Sequence, residues 1–108
     1  MTIEETKRLL ENCLTYVVKS KSLRNELQKT SDKELKKSIS KELKDLTDQV
    51  MSVRSKIESL HGMNVKLVMR LRYVNLMRFI DIAKEMKITY VWVHKLHADG
   101  VEQLSKIL

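Results

Sequence analysis

Apolar residues in the first quarter of the chain recur at helical spacing. From residue 3 to about residue 28 they fall mostly on one broad face, at Ile3, Leu9, Leu10, Cys13, Leu14, Tyr16, Val17, Val18, Leu23 and Leu27. Thr2 precedes this run and Glu4 and Glu5 lie in its first turn, which favours the start of a helix. The apolar face is widest between residues 9 and 18, so we expect it to pack against more than one neighbour.

A second helix is predicted after a short polar connection at residues 29–32. Ser31 and Glu34 match a capping box, in which each side chain bonds the backbone amide of the other residue. The helix is predicted to run to about residue 60. Its apolar residues follow a strict 4-3-4-3 spacing, at Ile39, Leu43, Leu46, Val50, Val53, Ile57 and Leu60. This spacing is typical of a three-heptad coiled-coil seam.

Two arrangements fit this seam. The connection to the first helix is only a few residues long, which favours a helical hairpin within one chain. The second helix is also longer than most helices of small domains, which favours a two-fold coiled coil between chains. Both arrangements together would make a four-helix bundle. We therefore expect residues 1–62 to form a hairpin or coiled-coil arm, with the seam as its dimerisation surface.

The pattern changes after His61 and Gly62. A glycine just past the last periodic residue is typical of a helix end, because it adopts a left-handed conformation without strain. Short helical patterns follow from Val65 onward. We place the domain boundary here, with a second domain at residues 63–108.

The second domain carries the pattern of a helix-turn-helix. That motif needs an apolar first helix with one small residue, a tight turn with an apolar residue beneath it, and a second helix with buried positions three apart. The residues that meet these demands are Ile82, Ala83, Met86, Ile88, Val93 and Leu96. Thr89 is the expected N-cap of the second helix.

The inward assignment of Val93 and Leu96 determines the outward face of the last helix. At 100° per residue this face comprises Tyr90, Val91, Trp92, His94 and Lys95, with His97 at its border. A solvated face is normally charged, whereas this one exposes the only tryptophan of the chain beside a tyrosine and a valine. Clustered exposed apolar groups usually mark a binding surface.

The composition limits the fold class, the type of partner and the compartment of the protein. The chain has 108 residues, no proline, two glycines and few aromatic residues, which favours an all-α fold. Its net charge of +7 suits nucleic acid or another anionic partner. Cys13 is the only cysteine, so no internal disulfide forms, which fits a reducing compartment. No apolar run reaches the length of a membrane span, and we expect a soluble cytoplasmic protein without membrane association.

The second domain resembles region 4 of the bacterial sigma-70 factors, the helix-turn-helix that reads a promoter element. The resemblance covers about forty residues. It includes the stretch from Val68 to Tyr73 and the matching positions Ile82, Ala83, Thr89, Val93, Leu96, Gly100, Val101 and Leu104. With a helical N-terminal extension in so short a chain, the overall build is similar to small phage late-transcription regulators of the ArpU/RinA type. The resemblance implies a phage-encoded regulator acting in the cytoplasm of a bacterial host cell.

The resemblance also implies roles for single residues. Arg72 would grip a backbone phosphate, and Thr89 would offer its hydroxyl or amide to another, helped by the helix dipole. The residues at the family's base-reading positions are Tyr90, Val91, Trp92, His94 and Lys95. Charge and position add four further candidates for phosphate contact: Arg78, Lys84, Lys87 and Lys66.

Two positions depart from the family pattern. Lys87 occupies the turn position that is usually glycine, so we expect it to hold a positive φ at a cost of about 1 kcal/mol. Arg78 stands where the preceding helix usually has a serine or threonine cap. The outward face of the last helix has one lysine where sigma factors often carry several arginines, so DNA shape should contribute to any sequence preference.

Other interpretations stay open at this point. Trp92 and Tyr90 would be core residues if the last helix were rotated. His94 and His97 are three apart, but no cysteine or acidic residue has the spacing to complete a metal site with them. No catalytic set or phosphate-binding loop is visible, so neither an enzyme nor a cofactor is expected.

We therefore expect a sequence-preferring regulator of transcription that places helix 89–99 in the major groove of double-stranded DNA. It is expected to form a homodimer and is a candidate to contact RNA polymerase. The alternative is an adaptor that docks on RNA polymerase or another protein through the Tyr90–Trp92 patch.

Overall fold

The computed structural model describes residues 1–108 and contains five helices and no strand, which confirms the all-α fold class. The helices are α1 (Ile3–Lys29), α2 (Lys33–Glu58), α3 (Met63–Tyr73), α4 (Phe79–Met86) and α5 (Tyr90–Ile107). None of them is long and apolar enough to cross a membrane.

The starts of α1 and α2 follow from their capping residues. The Thr2 side chain accepts a hydrogen bond from the Glu5 amide, and the Glu5 carboxylate accepts one from the Thr2 amide. This confirms the predicted cap of α1. The predicted capping box at Ser31 and Glu34 is wrong, because Asp32 is the N-cap of α2 and its carboxylate accepts from the amides of Glu34 and Leu35. Aspartate and serine are about equally good N-cap residues, so the sequence alone does not show which of Ser31 and Asp32 caps the helix.

α1 and α2 pack along their length as a hairpin joined by three residues. At the loop end, Leu23 packs with Ile39 and Leu46, with Leu43 partly buried beside them. At the other end, Val50, Val53, Ile57 and Leu60 enter the main core. The seven residues of the predicted dimerisation seam therefore pack within one chain, and a dimer interface would have to use other residues.

The main core joins both halves of the chain. Leu10 and Cys13 of α1 belong to the same buried cluster as Val68 of α3, Ile82 of α4 and Leu104 of α5. α1 contacts α2, α3 and α5, which agrees with the expectation that its wide face packs against more than one neighbour. The hairpin is thus part of the body on which the C-terminal helices rest.

The junction between α2 and α3 lies beside the C-terminal part of α5. α2 ends at Glu58, within two residues of the predicted end, with Ser59 as its C-cap. Gly62, at φ 93°, lies outside the left-handed helical region and directly precedes α3. The Gln103 side chain accepts a hydrogen bond from the His61 amide and donates one to the His61 carbonyl, at 2.8 and 3.0 Å. These two hydrogen bonds hold the α2–α3 junction against α5.

Candidate nucleic-acid interface

α4 and α5 are joined by a tight turn at residues 87–89. Lys87 ends α4 in the left-handed conformation, with φ 57° and ψ 42°, as its position in the turn predicts. The Ile88 amide donates to the Ala83 carbonyl at 3.1 Å, and the partly buried Ile88 side chain packs on the core beneath the turn. Ala83 is itself buried, which lets α4 lie close to its neighbours.

α5 begins with the predicted cap. The Thr89 hydroxyl accepts a hydrogen bond from the Trp92 amide at 3.1 Å. The helix then continues past residue 99, the end we predicted, to Ile107. Gly100 allows this continuation to pack closely on α3, because a Cβ there would lie 2.7 Å from both Cγ and Sδ of Met69.

The orientation of α5 agrees with the prediction. Val93 is fully buried and Leu96 is buried, whereas the side chains of Tyr90, Val91 and Trp92 are 51%, 63% and 47% exposed. The interpretation of Trp92 and Tyr90 as core residues is therefore wrong. We call the exposed residues Tyr90, Val91, Trp92, His94 and Lys95 the reading face.

Lys95 and Trp92 lie together on this face. The Lys95 ammonium is 5.9 Å from the centre of the Trp92 ring, within the range of a cation–π contact. Both side chains reach solvent. The pair presents a hydrogen-bond donor and a large flat apolar surface side by side.

His94 is held by aromatic neighbours. Its ring lies 4.7 Å from the Phe79 ring and 4.5 Å from the Tyr90 ring, centre to centre. The residue remains exposed. His94 therefore lies on the reading face but also helps to fix the Tyr90 ring.

His97 faces the interior side of the same cluster. Its Nε2 lies 2.6 Å from the Tyr73 hydroxyl, and its ring packs edge-on against Phe79 at 5.0 Å. Burial lowers the pKa of His97 to about 4, with smaller contributions from His94, Arg72 and Lys7. Burial also raises the pKa of Tyr73 to about 12. His97 is thus a neutral structural group at pH 7.

Arg72 lies at the edge of a surface depression. Its Nη1 donates to the Met77 carbonyl at 3.0 Å, its guanidinium carbon is 4.7 Å from the Phe79 ring centre, and its buried Nε has no hydrogen-bond partner. The depression has a volume of about 520 Å³ and is lined by Arg72, Arg78, Phe79, Ile80 and Tyr90. It connects the N-terminal end of α4 to the first turn of α5.

Known proteins give no further guide. Comparison with protein families, with curated proteins and with solved structures finds no match to this chain.

The predicted phosphate contacts fall into two groups. Arg72, Arg78, Lys84, Lys87 and Thr89 lie on α4, its turn or the depression beside them. Arg78 is exposed and pairs with Asp81 at 2.8 Å, which lowers the pKa of that carboxyl through a hydrogen bond.

Lys66 does not belong to this group. It lines a hollow with Leu60, Gly62 and Arg70 at the α2–α3 junction, which rests on α5 at Gln103. Gln103 is fourteen residues beyond Thr89, or about 21 Å along the helix. The structure therefore does not bring Lys66 to the reading face.

Sequence reasoning missed the aromatic framework behind the reading face. Tyr73 and Phe79 position His97, His94 and Arg72, although neither was predicted to take part in the site. One signal was available: four of the five aromatic residues of the chain lie between residues 73 and 92. In a chain with so few aromatic residues, this concentration indicates that these side chains lie close together in the fold.

No three side chains of the types that bind metals come together in the structure. The Nε2 atom of His97 lies at hydrogen-bond distance from the Tyr73 hydroxyl, and the His94 ring makes a tilted contact with Phe79 and an edge contact with Tyr90.

Proposed function

We propose that this protein is a sequence-preferring, DNA-binding regulator of transcription that inserts the first turns of α5 into the major groove. The observation that carries the proposal is the exposure of Tyr90, Val91, Trp92 and Lys95 at the capped start of the second helix of a helix-turn-helix. The major groove is wide enough to admit an α-helix.

The chemistry of the reading face suits base edges. No acidic residue occurs between residues 90 and 98, so nothing on these turns repels phosphate. Lysine donates hydrogen bonds to O6 and N7 of guanine, and apolar side chains contact the methyl group of thymine. We assign the first role to Lys95 and the second to Val91 and Trp92, with Tyr90 and His94 beside them.

The depression beside the reading face suits a backbone phosphate. Arg72 and Arg78 bring two guanidinium groups to it, and α4 begins there without a side-chain cap. Helix N-termini attract anions through their free amides and dipole. Lys84 and Lys87 add two exposed cations along the motif, and Thr89 adds a hydroxyl.

A homodimer remains part of the proposal only with an interface outside the packed seam. In that case the protein should favour two half-sites related by two-fold symmetry and separated by helical turns of DNA. Sedimentation velocity with and without selected duplexes measures the stoichiometry. A single protomer on a single non-repeated site would remove the dimer from the proposal.

Selection of bound duplexes from a random pool, at two salt concentrations, tests the proposal. We expect a recurring short sequence and an affinity that falls steeply with salt, since phosphate contacts release counterions. Trp92 is the only tryptophan, so its fluorescence reports engagement of the reading face directly. A pool that stays random, together with unchanged Trp92 emission, would overturn the assignment.

The second candidate is a protein-interaction adaptor that docks on RNA polymerase or another protein. It is favoured by the apolar character of Tyr90, Val91 and Trp92, which form one continuous exposed patch. Apolar docking releases few counterions, so binding that is insensitive to salt would support this candidate. No enzymatic activity is proposed.

A further inference from the structure

A second basic cavity lies away from the reading face, between the α1–α2 hairpin and the loop that joins α3 to α4. Its volume is about 200 Å³. Lys21 and Arg24 come from α1, Thr47 and Arg54 from α2, and Asn75 and Leu76 from the loop. Three separate parts of the chain thus contribute polar groups to one recess.

The charge of this cavity is uniform. Three of its lining residues are cationic and none is acidic. The four ion pairs of the structure involve none of these three cations. Close cations without acidic partners repel one another, and an anion between them removes that repulsion.

Arg54 supplies an independent observation. Its Nε is buried and has no hydrogen-bond partner, although buried donors in proteins are nearly always paired. The nearby Cys13 does not offer an anion, because burial raises the pKa of its thiol. Arginine presents its donors as a planar fork that fits the oxygens of a phosphate or carboxylate.

The loop wall of the cavity is strained. Leu76 holds a φ of 59°, which is costly for a residue with a Cβ and a bulky side chain. Met77 follows it and accepts the hydrogen bond from Arg72, and Arg78 then precedes α4. One short segment therefore borders this cavity on one side and the proposed phosphate contacts on the other.

We propose that this cavity binds a small phosphate monoester, held by Lys21, Arg24 and Arg54 with the Thr47 hydroxyl and Asn75 amide beside it. The concave shape favours a small anion over the extended backbone of DNA. The binding of the monoester does not rest on the proposed function.

Titration with ribose 5-phosphate, followed by ¹H–¹⁵N NMR, tests the proposal, with ribose and sodium chloride at equal ionic strength as controls. We expect saturable shifts of the Arg54 Nε–H signal and the Leu76 amide at millimolar ligand. Arg24→Ala should weaken binding about tenfold, since it removes one charge-assisted contact at an exposed position. Lys29→Ala is the matched control on α1, outside the cavity, and should bind normally.

Several results would overturn the proposal. They are the absence of saturable shifts, equal weakening by Lys29→Ala, and unchanged binding in both Arg24→Ala and Arg54→Met. Shifts of Arg54 with duplex DNA but not with ribose 5-phosphate would assign the cavity to DNA instead. Lys95→Ala separates the two proposals, because it should impair DNA binding and leave ribose 5-phosphate binding unchanged.

Discussion

Lys95 is the only cationic side chain within the first turns of α5. We expect Lys95→Ala to lower DNA affinity and to relax preference at one base position, by about 1–3 kcal/mol of discrimination, because a guanine contact is lost. Arg72→Ala should instead weaken the binding of all duplexes alike. It should also reduce the slope of log affinity against log salt concentration by about one, because one phosphate contact is lost. Fluorescence anisotropy with the selected duplex and single-base variants measures both effects.

Lys106 provides the matched control for Lys95. It lies on the same helix, is exposed and pairs only with Glu102 at 3.6 Å. Lys106→Ala should therefore leave base preference unchanged. Unaltered binding by both Lys95→Ala and Arg72→Ala would contradict the placement of DNA on this face.

His97 makes the stability of the protein depend on pH. Its pKa is about 4 when folded and near 6.5 when exposed, so the unfolded chain takes up the proton first as the pH falls. The contribution of His97 is complete above about pH 6.5 and is lost progressively toward pH 4, by up to ~3 kcal/mol.

Urea unfolding at pH 4.5 and pH 7 measures this loss. His97→Gln keeps a polar partner for Tyr73 but does not titrate, so its stability should vary less over that interval. The exposed His61 serves as a control through His61→Gln. An identical pH dependence in the wild type and His97→Gln would refute the assignment.

At the scale of an element, the turn between α4 and α5 carries a strained residue. Lys87 lies in the left-handed region, where glycine is unstrained. We expect Lys87→Gly to stabilise the fold by about 1 kcal/mol, as measured by thermal unfolding. Lys84→Gly removes the same charge inside α4 and should destabilise by about 1 kcal/mol. Destabilisation by both would contradict the turn geometry.

The contact between α5 and α3 depends on Gly100. Alanine normally stabilises a helix relative to glycine by about 1 kcal/mol. At this position its Cβ would lie 2.7 Å from two atoms of the buried Met69, so we expect Gly100→Ala to destabilise instead. Denaturant unfolding of Gly100→Ala, Met69→Ala and the double variant measures the coupling, which should be strongly non-additive.

The exposed Ala98 gives the reference for this comparison, since Ala98→Gly reports helix propensity alone. If Gly100→Ala were stabilising by the same amount that Ala98→Gly is destabilising, the close approach of the helices would be disproved.

The elements also show what the sequence could predict. Helical periodicity located α1, α2 and α5, and capping preference located Thr2 and Thr89, because these signals are local. The choice between Ser31 and Asp32 failed since both side chains suit a cap. The end of α5 was placed too early because glycine weakens an isolated helix, whereas Gly100 is stabilised here by its contact with α3.

At the scale of the whole molecule, the position of the hairpin was the main unknown. The heptad seam suited a partner helix from the same chain or from another chain, and spacing alone does not distinguish them. Only the wide face of α1 pointed to several neighbours. The aromatic framework of Tyr73 and Phe79 was missed for the same reason, since it joins residues from α3, α4 and α5.

The shared core predicts that the C-terminal segment of residues 63–108 does not fold by itself. Leu10 and Ile57 are fully buried in the cluster that also holds Val68, Ile82 and Val93. A fragment of residues 63–108 would expose one side of that cluster, and a chain so short rarely buries enough apolar surface to fold alone. Circular dichroism should therefore show low helicity for the fragment and a gain of helicity when residues 1–62 are added.

The variant Leu10→Ala tests the same point in the full chain. It should lower the free energy of unfolding by about 2–5 kcal/mol, because it creates a cavity where α1 meets the core. The control Leu35→Ala, at an exposed position, should change the free energy of unfolding little. If the core is one cooperative unit, backbone amide exchange at Val93 on α5 should accelerate as much as at Ile57 on α2. If the Val93 amide alone stayed protected from exchange, α5 would be stable without the hairpin. The hairpin would then act as an attached arm.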